Sequence, residues 1–204
     1  MTASPLIYTA EQALARLKRG NERFLAGKAR FPTVQKEVLA ELTRGQQPYA
    51  TVLGCSDSRV PPELVFDAGF GELFIIRVAG NVLGPTIAGT LQYAGSYLHT
   101  PLFVVMGHEG CGAVQAALDV RFGGATYGNR VEILLENILP ALDVLDPGLS
   151  REQLLHAAVE ANVRWIMREL RESPEGRARL AAREMMLVGA VYELDTGRVR
   201  FLED

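Results

Sequence analysis

The chain holds two cysteines, Cys55 and Cys111, and both stand among residues that can do chemistry. Cys55 opens the stretch CSDSRVPP, which sets a thiol, a carboxylate and a guanidinium at alternate positions: Cys55, Asp57 and Arg59. Side chains two apart share a face of an extended chain, so all three can address one site. Cys111 closes the stretch GHEGC, three residues after His108, with glycines at 107, 110 and 112 that allow both side chains to turn toward a common point. Two thiolates and an imidazole form a donor set suited to Zn²⁺, and three protein ligands leave a fourth tetrahedral position for water, substrate or another group. The remaining histidines, His99 and His156, fall at a helix end and within a helix and read as surface or packing residues.

Asp57 has two possible roles beside such a metal: fourth ligand, or acceptor for a hydrogen bond from whatever occupies the fourth position. Arg59 decides between them. A guanidinium bound to the carboxylate keeps it ionised and off the metal; a separated pair lets Asp57 close the site. Two thiolates and a neutral imidazole bring a zinc dication to about zero net charge, so bound water should be less acidic than on a three-histidine zinc, and activity should favour alkaline pH.

These residues need strands that end at one place. Three apolar runs bounded by breakers, at 49–54, 72–80 and 101–108, read as strands covered on both faces. Ile87, Leu91, Ala94 and Leu98 between the last two recur at helical spacing, which makes a strand–helix–strand unit and implies a parallel sheet. Sites in such sheets form beyond the carboxyl ends of the strands, and Cys55 and His108 both fall there. Thr9 with Gln12 and Ser150 with Gln153 fit capping boxes, and Ser173–Pro174 opens a further short helix. A second N-terminal helix is expected over 34–42, and two strands joined by a turn at Asp195–Thr196–Gly197 at the end of the chain. The fold class expected is α/β, with a mainly parallel central sheet flanked by helices.

Composition narrows the partners. A net charge of −3 without a basic face argues against nucleic acid. No apolar run reaches the length of a membrane span and no secretory leader is apparent, so a cytoplasmic protein is expected. The few cysteines argue against a disulfide scaffold, and without a Cys-x-x-Cys or a resolving cysteine a thiol redox role is disfavoured.

The motifs CSDSRVPPE, RVAGN (77–81) and GHEGCGAV, with RLKRGNERFLAG and GTLQYA, together resemble the β-class carbonic anhydrases, zinc enzymes that interconvert CO₂ and bicarbonate. The resemblance implies one Zn²⁺ on Cys55, His108 and Cys111, an Asp57–Arg59 dyad, and attack on CO₂ by zinc-bound hydroxide. It implies a single domain over 1–204, with a helical arm (1–45) packing on a partner subunit, a core (46–204), and a homodimer or tetramer whose active sites lie at the subunit interface. One branch of the family lines its substrate pocket with a Gln, a Phe and a Tyr, and Gln46, Phe74 and Tyr93 stand at those positions. Another branch carries a Trp that helps form an inhibitory bicarbonate site; Val52 stands there instead, which implies that the site is lacking and that Asp57 stays paired with Arg59 at neutral pH. In GTLQYA, Gln92 replaces an acidic residue common in the family. Relatives that hydrolyse CS₂ or COS share the fold and ligands and form the main alternative, ahead of a structural-zinc interaction protein.

Overall fold

The computed structural model describes residues 8–30, 39–40 and 42–203. A five-stranded sheet runs through it in the order β2-β1-β3-β4-β5. Strands β1 (Ala50–Gly54), β2 (Leu73–Arg77), β3 (Leu102–His108) and β4 (Met186–Tyr192) are parallel; β5 (Val199–Phe201) returns antiparallel to β4. The chain builds outward from β1 to β2, then crosses to the other side of β1 to lay down β3. The loops after β1 and β3 therefore diverge, and the crevice between them is the topological switch point where sites in open α/β sheets form.

Every residue of β1 and β3 is buried, as their apolar runs require. The second strand differs from expectation: Leu73, Phe74 and Ile75 are only half-buried. The reason is position, since among the described residues β2 ends the sheet and pairs with β1 alone.

Helices close the two faces. Helix α1 (Ala10–Leu25) begins with the expected capping box, Thr9 accepting from the Gln12 N–H while the Gln12 side chain accepts from the Thr9 N–H. It docks on its own chain: Ala13 and Leu17 are fully buried, and Asn21 donates to the carbonyls of Val65 and Gly197 and accepts from the Val199 N–H. Between β1 and β2 lies a single turn, α2 (Pro62–Val65); α3 (Pro85–Ser96) joins β2 to β3. Four helices separate β3 from β4: α4 (Gly112–Gly123), α5 (Val131–Ile138), α6 (Arg151–Glu172) and α7 (Pro174–Ala181). Both Ser150 and Ser173 cap the helices they precede.

The long helix α6 lies across β3 and β4. It comes close at Gly107, where a Cβ would stand 2.8 Å from a methyl of Val163 and 3.1 Å from one of Val159. A glycine here lets the helix rest on the strand backbone, one residue before His108. Burying Val159, Val163 and Ile166 along this seam contributes roughly 1.5–3 kcal/mol each. The β4–β5 connection turns at Gly197, in the left-handed region at φ 74°, within the turn expected at 195–197. The expected helix over 34–42 falls mostly outside the described residues.

Candidate metal centre at the switch point

The three expected metal donors converge. Cys55 directly follows β1, His108 is the last residue of β3, and Cys111 caps α4; all are buried, and their donor atoms lie within 4.8 Å of one another. The two sulfurs stand 3.9 Å apart. A disulfide requires about 2.05 Å, whereas two thiolates each about 2.3 Å from a tetrahedral metal would sit about 3.8 Å apart. The imidazole is turned to match. Its Nδ1 lies 2.9 Å from the Glu109 carbonyl, which places the proton on that nitrogen and leaves the Nε2 lone pair free. Nε2 is buried and has no hydrogen-bond partner among the described residues, a costly arrangement unless a metal takes the lone pair. The donor set fits Zn²⁺.

The Cys111 thiol lies within hydrogen-bonding distance of the Cys55 sulfur, and a proton held in that bond lowers the Cys55 thiol against the cost of burial, with further help from the N–H groups of Asp57 and Gly80. Cys111 is pushed up, first by that same bond and then by burial. A dication binding here must displace this proton, so metal affinity rises with pH.

Asp57 faces the same point, its Oδ2 3.9 Å from His108 Nε2. Arg59 holds it with two parallel bonds, Nη2 to Oδ2 at 2.7 Å and Nε to Oδ1 at 2.9 Å, and its backbone N–H adds a third at 2.9 Å. The arginine bonds, led by the side chain, keep the Asp57 carboxyl well below the usual carboxylate range despite partial desolvation. Nη2 of Arg59 also reaches the Gly110 carbonyl at 3.4 Å, linking the dyad to the loop between the other two ligands. Glu109, in that loop, is engaged elsewhere: its carboxylate accepts from the Leu194 N–H.

Two residues without an assigned role from sequence complete the frame. Arg77, at the end of β2, donates from Nε to the Cys55 carbonyl at 2.9 Å and from Nη2 to the Asp57 carbonyl, fixing the extended stretch that carries the alternate triplet. The Gly80 N–H points at the Cys55 sulfur, 3.4 Å away. Arg77 lies within the RVAGN motif, but a bond to a backbone carbonyl 22 residues away in sequence leaves no pattern to find it by.

Gln46, Phe74 and Tyr93 are not brought to these donors within the chain. Phe74 pairs with Thr51, about 13 Å along the sheet from Cys55. Its ring lies 6.1 Å from that of Tyr93, which stacks on Tyr97 at 5.3 Å and is 45% exposed. Gln46 is exposed and precedes β1 altogether, at the opposite end of the sheet from the cysteines. His99 and His156 are both exposed and take no part in the cluster.

Residues 50–199, which include all three donors, match the family model described as carbonic anhydrase. The chain is 39% identical over 184 residues to carbonic anhydrase 2 of Mycobacterium tuberculosis, spanning 89% of this chain and 87% of that protein. It is 38% identical over 184 residues to the carbonic anhydrase of Mycolicibacterium smegmatis, with 90% and 88% covered. Among solved structures, the β-carbonic anhydrase CcaA superposes with a TM-score of 0.74 at 26% identity over 93% of this chain and 87% of that one. The Coccomyxa β-carbonic anhydrase in complex with acetazolamide gives 0.75 at 25% identity over 93% and 86%. Sequence, fold and a Cys₂His cluster at the switch point agree: the chain belongs to the carbonic anhydrase family, in its β class.

Proposed function

We propose that Cys55, His108 and Cys111 hold a catalytic Zn²⁺ for the reversible hydration of CO₂, CO₂ + H₂O to HCO₃⁻ + H⁺, with Asp57 and Arg59 governing the fourth position. The observation that carries this is the three-point grip of Arg59 on Asp57, which keeps the carboxylate beside the donor set without committing it as a ligand. Zinc, when bound, would act as a Lewis acid that lowers the pKa of water and so supplies the nucleophile. Asp57 accepts a hydrogen bond from the nucleophile and orients it. Held far below the usual carboxylate range, it is too weak a base to store the product proton, which must pass to another group or to buffer. Arg59 prevents Asp57 from closing on the metal.

The pocket is part of the proposal. Gln46, Phe74 and Tyr93 lie too far from their own chain's donors to line that site, so in a homodimer, or a tetramer built from dimers, they would line the partner's: Gln46 donating to a substrate oxygen, the two rings forming an apolar wall suited to CO₂. The arm over 1–45 would contribute to the same interface, although α1 is anchored on its own core. A cytoplasmic location belongs to this reading as well, because both thiols must stay reduced to serve as ligands. Among the described residues no helix is long and apolar enough to cross a membrane.

Zinc analysis with stopped-flow CO₂ hydration tests the reaction. One zinc per chain, rapid hydration rising toward alkaline pH, and loss of both zinc and activity in Cys111→Ser are expected. Zinc without hydration, but with turnover of CS₂ or COS, would favour the sulfur-substrate reading. Mixing chains carrying Cys111→Ser with chains carrying Gln46→Ala tests the shared pocket: activity should reappear in mixed dimers, and no recovery would assign Gln46 to its own chain's site or to none.

A further inference from the structure

Asn162 interrupts the apolar stripe by which α6 packs on the sheet. Its neighbours on that face are Ala158, Val159, Val163 and Ile166, and Asn162 is itself 1% exposed. Burying an amide among aliphatic side chains costs free energy unless its groups are paired, and among the described residues only one of them is: Nδ2 donates to the Gly80 carbonyl at 2.9 Å, while Oδ1 has no partner there. A hydrophobic residue would serve packing better, so the bond to Gly80 is what this position provides.

Gly80 lies in a tight turn after β2 where two successive residues adopt left-handed backbone, Gly80 at φ 67° and Asn81 at φ 45°. A side chain at 80 would be strained, since φ lies in the left-handed region and a Cβ would stand 2.8 Å from Ile138 Cδ1 and 3.1 Å from the Ala113 Cβ. The turn is unfavourable in itself for Asn81. Its conformation aims the Gly80 N–H at the Cys55 sulfur. A hydrogen bond donated to a metal thiolate withdraws charge from the sulfur and fixes its lone pairs, so the turn sets both the direction and the strength of this ligand.

We infer that Asn162 is a positioning residue for the metal centre, holding the Gly80 turn so that its N–H stays on the Cys55 thiolate. The inference rests on the zinc reading above. Partners of this kind typically change metal affinity or activity 10–100-fold when removed.

The test uses the full-length protein with Zn²⁺ or Co²⁺ as probe. Asn162→Leu keeps the number of side-chain heavy atoms and removes the donor; Asn162→Ala removes it without adding bulk, should leucine fail to fold. Ile166→Ala, on the same buried face but without a bond to the turn, controls for lost packing. Both Asn162 variants should lose roughly 10-fold in zinc affinity, read by chelator competition, and shift the thiolate-to-cobalt charge-transfer band. Ile166→Ala should lower the melting temperature and leave the band in place. An unmoved band with wild-type zinc affinity in the Asn162 variants, or an equal shift in Ile166→Ala, would overturn the inference while leaving the zinc reading intact. Failure of the wild-type protein to bind zinc or show a thiolate–cobalt band would overturn both.

Discussion

Two aspartates ten positions apart, Asp57 and Asp67, are both bound by arginine, and the resemblance ends there. Asp67 is sealed: its side chain is 1% exposed, Arg23 and the Arg30 side chain meet Oδ2, and the Arg30 N–H meets Oδ1 at 2.7 Å. Its donors come from α1 and the segment after it, so the cluster ties the N-terminus to the turn behind α2. Asp57 takes all of its donors from Arg59, two residues on, and stays 18% exposed with Oδ2 turned toward His108. A carboxylate whose bonds join distant parts of the chain holds the fold together. One whose bonds are local, and which keeps a lone pair facing an open position, is free to act on what enters it.

The comparison can be broken at either aspartate. The largest effect should follow Arg59→Ala, which frees Asp57 to bind the metal: CO₂ hydration should fall about 100-fold with the melting temperature almost unchanged, and full activity would remove the gate. Asp67→Ala should do the reverse. It leaves Arg23 without its partner and costs about 2 kcal/mol in urea denaturation, while hydration at low temperature stays within a factor of two of the parent.

That cost should also depend on pH in a defined direction. Burial alone would raise the Asp67 carboxyl, but the bonds from Arg23 and Arg30 outweigh it and hold it below the ordinary value. A lowered folded-state value means that the stabilisation is complete above the unfolded carboxyl, near 3.9, and is lost as pH falls through the folded value. The gap between parent and Asp67→Ala should therefore be widest near neutrality and narrow below about pH 4; a gap that widens in acid would refute the assignment. The smallest effect belongs to Arg30→Ala. That side chain is 60% exposed and its backbone bond survives the change, so less than about 1 kcal/mol should be lost.

The metal donors were legible from sequence because each ends an apolar run or sits three residues beyond one, and the parallel sheet could be read from the same runs and the helix between two of them. Asp57 and Arg59 were legible because their contact is local. Asp67 was not, since nothing in VFDAG announces an arginine 44 residues earlier. Asn162 escaped for a related reason: it acts through a backbone carbonyl 82 positions away, which carries no side-chain identity to match. The half-exposed face of β2 was misjudged because an apolar run does not record which strand will stand at the edge. Gln46, Phe74 and Tyr93 were found only through family resemblance, and their distance from the chain's own donors depends on strand direction rather than on residue type.

The close approach of α6 at Gly107 has a consequence for synthesis. All three ligands have emerged once Cys111 is made, yet Val159 and Val163, which back the strand beside His108, follow about fifty residues later. At typical elongation rates that interval is about 3–10 s. A nascent chain thus presents its cysteines and histidine before the wall behind them exists, and any ion captured in that interval meets an unfinished pocket.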